Sequence, residues 1–300
     1  MFYNNYMVNY NSVSEIRSLL ESEGLGMQKK FGQNFLINQQ IRQKLVDILG
    51  AQEQDEVWEI GSGIGAMTSL LLDKGLKVKA FEIDRGFIRI LKKLFYQRHE
   101  SEVVEGCESS GSFELIEGDV LKTWKTQKQT PFLLGNLPYN VAAVLLADLI
   151  ENRCIFTRMV VTVQKETALR MAATAGSPDY SSFSVLCASA YKVKQLMLIH
   201  SSSFYPQPNV DSMGVLLEKR EELLCPAVFY PLVRSLFSSR RKTIKNNLTS
   251  FITSKFPGKT AADIVSRILQ ECGLGGNERA EQLELEIFLS LAKSIHNMRL

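Results

Sequence analysis

The chain lacks most of what marks a metalloprotein, a disulfide scaffold or a membrane protein. Its five cysteines, at 107, 154, 187, 225 and 272, are scattered, odd in number and without a C-x-x-C pair. That spacing argues against a disulfide framework or a cysteine-based metal centre and fits reduced, mostly buried thiols of the cytosol. No metal is expected. No apolar run approaches the roughly 18–20 residues that a membrane span needs. The first residues, MFYNNYMVNYNSVSEI, show neither the basic nor the apolar region of a secretory signal, so no membrane partner and a cytoplasmic location are expected. Histidine is scarce, with three residues at 99, 200 and 296. A strong charge of one sign is missing too: 35 Lys and Arg stand against 32 Asp and Glu, with a pI near 8.5.

What is present is an ordinary globular composition, 45% apolar over 300 residues, with a mean hydropathy of −0.05. That length suits one large domain and a smaller one. The charge is unevenly spread. Between Phe229 and Ala262 there are seven Lys or Arg and no Asp or Glu, a segment that suits a polyanion, although a solvated helix face is the default reading.

The periodicities alternate. Ser12 and Glu15 form a capping-box pattern ahead of a helical stripe, Ile16, Leu19 and Leu20, that ends at Gly24. A second helix is predicted over 39–49, stopped by Gly50. Strands are predicted over 57–60, 78–83, 113–117, 132–134 and 159–163, with helices over 67–72, 87–96 and 141–150 between them. This alternation predicts an α/β fold with a doubly wound, mostly parallel sheet of Rossmann type. Residues 97–112 read as a surface loop, and 193–199 with 213–218 as a late antiparallel pair. After Cys225-Pro226 the pattern is purely helical, with Leu232, Val233, Leu236, Phe237, Ile244 and Leu248 on one face. Two domains are therefore expected, 1–224 and a small all-helical one over 225–300.

The first strand opens into Gly61-Ser62-Gly63-Ile64-Gly65-Ala66, a G-x-G-x-x-G/A turn, and Glu82 lies where a carboxylate would hold ribose hydroxyls. The motif alone fits a nicotinamide cofactor and S-adenosylmethionine equally. Later strands decide between them. Gly118-Asp119-Val120 follows the third, where a carboxylate can accept from an adenine amine, and Asn136 follows the fourth. A dehydrogenase would also want a proton-relay residue near the nicotinamide, and none of the three histidines falls in the crevice by this reading. A methyltransferase is favoured.

Asn136-Leu137-Pro138-Tyr139 carries the chemistry. An exocyclic amine has two N–H donors and needs two acceptors. The Asn136 side-chain oxygen and the Leu137 carbonyl are two acceptors, Pro138 stiffens the backbone between them and the next residue, and Tyr139 offers a flat face for a base. The plain alternative is a strand followed by an Asn-Pro turn with Tyr139 in the core. Phe204 could cover the other face of the base, or be a core residue.

These residues resemble the family of ribosomal RNA small-subunit adenine-N6,N6-dimethyltransferases. The resemblance spans almost the whole chain: Lys30-Phe31-Gly32-Gln33-Asn34-Phe35-Leu36, Glu59 to Gly63, Glu82-Ile83-Asp84, Gly118-Asp119, the tetrapeptide at 136, Val163 to Glu166, Phe204 to Ser212, Arg240 to Ile244 and Arg279-Ala280-Glu281. It implies a class I methyltransferase that dimethylates two adjacent adenines near the 3′ end of small-subunit rRNA, a monomer acting on immature small subunits. By the same resemblance Gln33, Asn34 and Leu36 close over S-adenosylmethionine and Gly61 approaches its methionine part, with Gly63 in the same turn. Glu82 and Ile83 would meet the ribose end, Asp119 and Val120 the adenine, and Asn136 the methyl donor. Arg240, Arg241 and Lys242 become phosphate ligands, or one Arg is tied to Glu281. Ser62, His200-Ser201, Asn209 and Phe183 depart from the family pattern, mostly in substrate-side loops. A large-subunit adenine methylase of the antibiotic-resistance type and a non-catalytic RNA-binding assembly factor are the competing readings.

Overall fold

The computed structural model describes residues 8–25, 33–96, 111–221, 225–257 and 260–298. The Lys30-Phe31-Gly32 part of one motif, most of the expected 97–112 loop and residue 224 lie outside these. Among the described residues there are nine strands: β1 Phe35–Leu36, β2 Glu56–Ile60, β3 Lys77–Glu82, β4 Ser112–Glu117, β5 Phe132–Asn136, β6 Arg158–Gln164, β7 Tyr191–Ile199, β8 Phe204–Tyr205 and β9 Ser212–Lys219. Seven form one sheet in the order β4-β3-β2-β5-β6-β9-β7, while β1 and β8 make a separate antiparallel ribbon. From β4 to β6 every pairing is parallel, and β9 returns antiparallel to β6. The sheet and its intervening helices are the expected α/β architecture.

Strand order reverses at β2, which has β3 on one side and β5 on the other. The loops leaving β2 and β5 therefore diverge to opposite faces and open a crevice at the carboxyl ends of the strands. The central strands are sealed from water on both faces: Val57, Trp58, Leu133, Val160 and Val161 are 0–1% exposed. Such strands read as continuous apolar runs rather than alternating ones.

Helix limits follow local chemistry. Asn38 caps the helix Gln39–Leu49 by accepting from the Ile41 N–H, and Gly50 ends it at φ +71°. Asp84 caps Arg85–Leu91 by accepting from the Gly86 and Phe87 N–H groups, and the last turn of that segment, Lys92–Tyr96, widens to a π-helix. The capping box at the first helix, Val13–Ser22, is half formed. Ser12 accepts from the Glu15 N–H, but the Glu15 carboxylate turns to the Asn9 N–H instead of the Ser12 backbone.

The chain divides into two compact units. One contains residues 1–148, 154–168 and 194–218; the other contains 149–153, 169–193 and 219–300. This differs from the expected division into 1–224 and 225–300, and the reason is packing. Tyr180 and Val185 share a buried cluster with Phe229, Leu232, Val233, Leu236, Ile244 and Leu248, and the Tyr180 hydroxyl donates to the Leu283 carbonyl at 2.9 Å. The helix Ser182–Ala190 thus belongs with the C-terminal helices Phe229–Phe237, Ile244–Lys255, Ala261–Glu271 and Leu285–Asn297. No helix among the described residues is long and apolar enough to cross a membrane.

Candidate active site

The crevice holds a cavity of about 400 Å³. Its wall is built by four strand-end loops and the segment that precedes β1. The segment contributes Gln33 and Asn34, and β1 itself Leu36; the turn after β2 contributes Gly61 and Gly63; β3 ends in Glu82, followed by Ile83; β4 leads to Asp119 and Val120; and β5 leads to Asn136, Leu137, Pro138 and Tyr139. All these residues were singled out from the sequence, and the fold brings them to one cavity.

The turn after β2 can be made only by residues that tolerate left-handed backbone. Gly61, Gly63 and Gly65 sit at φ +75°, +58° and +90°. A Cβ on Gly63 would stand 3.2 Å from the Phe35 ring. The turn is tied down by Glu82. One of its carboxylate oxygens accepts from the Gly63 N–H, and the other accepts from Ile83 and Asp84, all at 2.8 Å. Glu82 is 7% exposed. Burial pushes its carboxyl up to about 7, against the three backbone donors, which favour the ionised form.

A second buried carboxyl lies on the same wall. Glu59 accepts from the Thr68 hydroxyl at 2.6 Å, and burial, reinforced by the neighbouring Glu82, pushes it up to about 7 as well. Asp119 caps the short turn Val120–Thr123 by accepting from the Leu121 N–H with one oxygen at 3.0 Å. The Gln33 amide donates to Asp84 at 2.9 Å, which fixes the segment before β1 against the end of β3.

At the end of β5, the Asn136 amide nitrogen donates to the Asn34 carbonyl at 2.8 Å. Its donor end is committed to protein, and its oxygen is the end left to accept. The Leu137 N–H donates to the Thr162 carbonyl at 3.0 Å, and the Pro138 carbonyl accepts from Val141 and Ala142. The Leu137 carbonyl accepts from no described residue. Tyr139 is half-buried. Its hydroxyl shares a hydrogen bond of 2.7 Å with Ser212, and burial raises its pKa.

Two expectations need correction. Phe204 is 3% exposed and belongs to the core cluster that contains Leu36, Leu45 and Ile199. It pairs with Leu36 across the β1–β8 ribbon, so its ring supports the wall from behind and offers no stacking face to the crevice. Arg240 is not a free phosphate ligand. Its guanidinium lies 3.3 Å from Glu281 and donates to the Tyr180 carbonyl at 2.9 Å. Arg241 and Lys242 are exposed in the same unit and make no ion pair among the described residues.

Sequence reading also passed over three residues. Glu59 stood in a motif without a role. Ser212 ended another motif, and nothing local links it to Tyr139. Arg42 had a legible signal: it stands three and seven residues before Leu45 and Leu49, on the buried stripe of its helix.

The comparisons with known proteins give the family. The family model for ribosomal RNA adenine dimethylase matches residues 24–296. The chain belongs to that family. A ribosomal RNA small subunit methyltransferase A of Treponema denticola is 44% identical over 97% of each chain, and one of Borreliella burgdorferi is 37% identical over 96% of each. Among solved structures, a dimethyladenosine transferase from Plasmodium falciparum superposes with a TM-score of 0.71 at 26% identity, covering 88% of this chain and 98% of that one. The 23S rRNA methyltransferase ErmE, at 21% identity and a TM-score of 0.58, covering 87% of this chain and 99% of that one, shares the fold.

The buried carboxyls give a pH signature. A carboxyl raised from its ordinary value of about 4.5 to about 7 makes the folded state bind more protons than the unfolded state between those values, so its contribution to stability falls as pH rises through that window. Glu59→Gln retains an acceptor for Thr68 and has no charge to bury. It should unfold in urea with stability near wild type at pH 5 and about 1–3 kcal/mol above wild type at pH 8. An unchanged difference between the two pH values would show that Glu59 titrates normally.

Proposed function

We propose that this methyltransferase dimethylates the N6 amines of two adjacent adenines near the 3′ end of small-subunit rRNA, using S-adenosylmethionine. We further propose that it acts as a monomer, in the cytoplasm, on an immature small-subunit particle. The observation that carries the reading is the hydrogen bond from the Asn136 amide nitrogen to the Asn34 carbonyl, since it leaves the Asn136 oxygen to accept an amine. The small-subunit names of the curated relatives favour that substrate over a large-subunit one.

The residues fit the methyl donor. A cavity of about 400 Å³ lies in the range of small-molecule sites, roughly 300–1,000 Å³. Glycines at 61 and 63 keep side chains out of the space that a ligand backbone contact needs. Carboxyls end β3 and open the turn after β4, where hydroxyl and amine donors can be met. In this reading Glu82 holds the ribose hydroxyls and Asp119 the adenine amine. Ile83, 43% exposed, and Val120 give apolar contact. Gly61, Gln33, Asn34 and Leu36 enclose the amino-acid end.

When bound, S-adenosylmethionine supplies a methyl group on a sulfonium, an electrophile strong enough to react with a neutral amine. An adenine amine is a weak nucleophile because its lone pair is delocalised into the ring. Asn136 and the Leu137 carbonyl each accept one N–H, which turns the nitrogen lone pair toward the donor. Pro138 keeps that carbonyl in one direction, and Tyr139 stacks on the flipped-out base. Catalysis is then mainly orientation, and the proton released after transfer passes to water. Arg241 and Lys242, the two unpaired members of the basic trio, bind backbone phosphates and position the RNA without reading its sequence.

Three experiments test this. Asn136→Ala should lower single-turnover methyl transfer by about a hundredfold or more, and Asp119→Ala should weaken donor binding in calorimetry by about 1–3 kcal/mol. Normal turnover in the first, or unchanged affinity in the second, removes that residue from its role. Replacing Arg241 and Lys242 with Gln should flatten the salt dependence of particle binding by about 0.7–0.9 in log–log slope per lost phosphate contact, with donor affinity intact. An unaltered slope would return both residues to a solvated turn between the helices Phe229–Phe237 and Ile244–Lys255.

A further inference from the structure

Arg42 is a buried cation without a buried counter-ion among the described residues. It is 3% exposed, lies on the buried face of the helix Gln39–Leu49 and lines the donor cavity. No carboxylate pairs with it among the described residues. Its guanidinium instead donates to the Leu36 carbonyl at 2.5 Å, the Tyr10 carbonyl at 3.4 Å and the Asn11 side-chain oxygen at 2.7 Å. Its Nε has no partner. Burial lowers its pKa. A buried cation without a counter-charge costs stability, and an apolar residue of similar volume is often neutral or better there. Such violations of the rules of a good core are expected where function requires them.

The three acceptors lie on two separate stretches of chain. Leu36 ends the segment Gln33–Leu36 on the cavity wall, while Tyr10 and Asn11 precede the helix Val13–Ser22. That helix is outside the region matched by the family model, which begins at residue 24. Its buried face, Ile16 and Leu20, packs in a cluster with Phe35, Ile64 and Phe87, which line the same cavity. Asn11 also donates to Gln39, so the N-terminal segment is tied to both ends of the junction.

We propose that Arg42 is a positioning residue for methyl-donor binding. Its planar fork bridges the N-terminal segment to the segment Gln33–Leu36 and holds the Asn34 carbonyl where it orients Asn136. This rests on the reading of the cavity as the donor site. A lysine cannot substitute, because a single ammonium cannot span acceptors on both stretches in a fixed plane.

The test uses full-length Arg42→Met, Arg42→Lys and Asn11→Ala. In Arg42→Met the melting temperature should hold or rise, while the dissociation constant for S-adenosylmethionine, measured by calorimetry, should increase about tenfold. Hydrogen exchange at the Leu36 and Ile37 amides of the ligand-free protein should accelerate. Arg42→Lys should not restore either property. Asn11→Ala should shift both in the same direction by less, and the double variant should be no worse than Arg42→Met. Unchanged affinity and exchange in a stable Arg42→Met, or full rescue by Lys, would overturn the proposal. Should Arg42→Met not fold, Asn11→Ala decides by the same two readouts. If wild-type protein binds no donor, the reading of the cavity fails, while the exchange measurement still decides the role of Arg42.

Discussion

The contact on which the site depends is the hydrogen bond from the Asn136 amide nitrogen to the Asn34 carbonyl. An asparagine amide can present either a donor or an acceptor, and an amine substrate needs acceptors alone. By giving the nitrogen a backbone partner, the protein leaves the oxygen as the free end, which in the proposed function accepts the amine. The bond also joins the end of a central strand to the segment ahead of the β1–β8 ribbon. The acceptor is therefore only as well placed as that segment, which is held by Gln33 on Asp84, by the packing of Phe35 and by Arg42 on Leu36.

Around this contact the cavity gathers charge that a globular core would exclude. Two carboxyls, Glu59 and Glu82, are buried side by side, and one guanidinium is buried with neutral acceptors only. The methyl donor carries a sulfonium, an ammonium and a carboxylate, so charges of both signs on the wall match a ligand with charges of both signs. The same argument explains why the glycine turn is pinned by a carboxylate and not by backbone alone. Glu82 binds three N–H groups whose positions define the floor of the site.

Most of this was legible in the sequence, for reasons that are local. Strand ends, glycine turns and caps are dictated by residues close in the chain. Gly61, Glu82, Asp119 and Asn136 could thus be placed at successive strand ends from periodicity alone, and their order fixes the crevice. What was not legible depends on tertiary packing. Phe204 is the same aromatic residue whether it stacks on a base or on Leu36, and only the pairing of β1 with β8 decides. The hydroxyl of Ser212 reaches Tyr139 across 73 positions of sequence. The helix Ser182–Ala190 looks like a continuation of the first unit until Tyr180 and Val185 are seen in the core of the second. Arg240 differs from Arg241 only in that Glu281 and the Tyr180 carbonyl lie within its reach.

In the proposed function, the crevice at the end of β5 presents an adenine amine of small-subunit rRNA to a bound methyl donor. It is tested most directly by incubating the purified protein with immature small-subunit particles and methyl-labelled S-adenosylmethionine, then digesting the rRNA and identifying the labelled nucleoside and its position. The expected product is N6,N6-dimethyladenosine at two adjacent positions near the 3′ end. Label in a different nucleoside, or in large-subunit rRNA only, would contradict it.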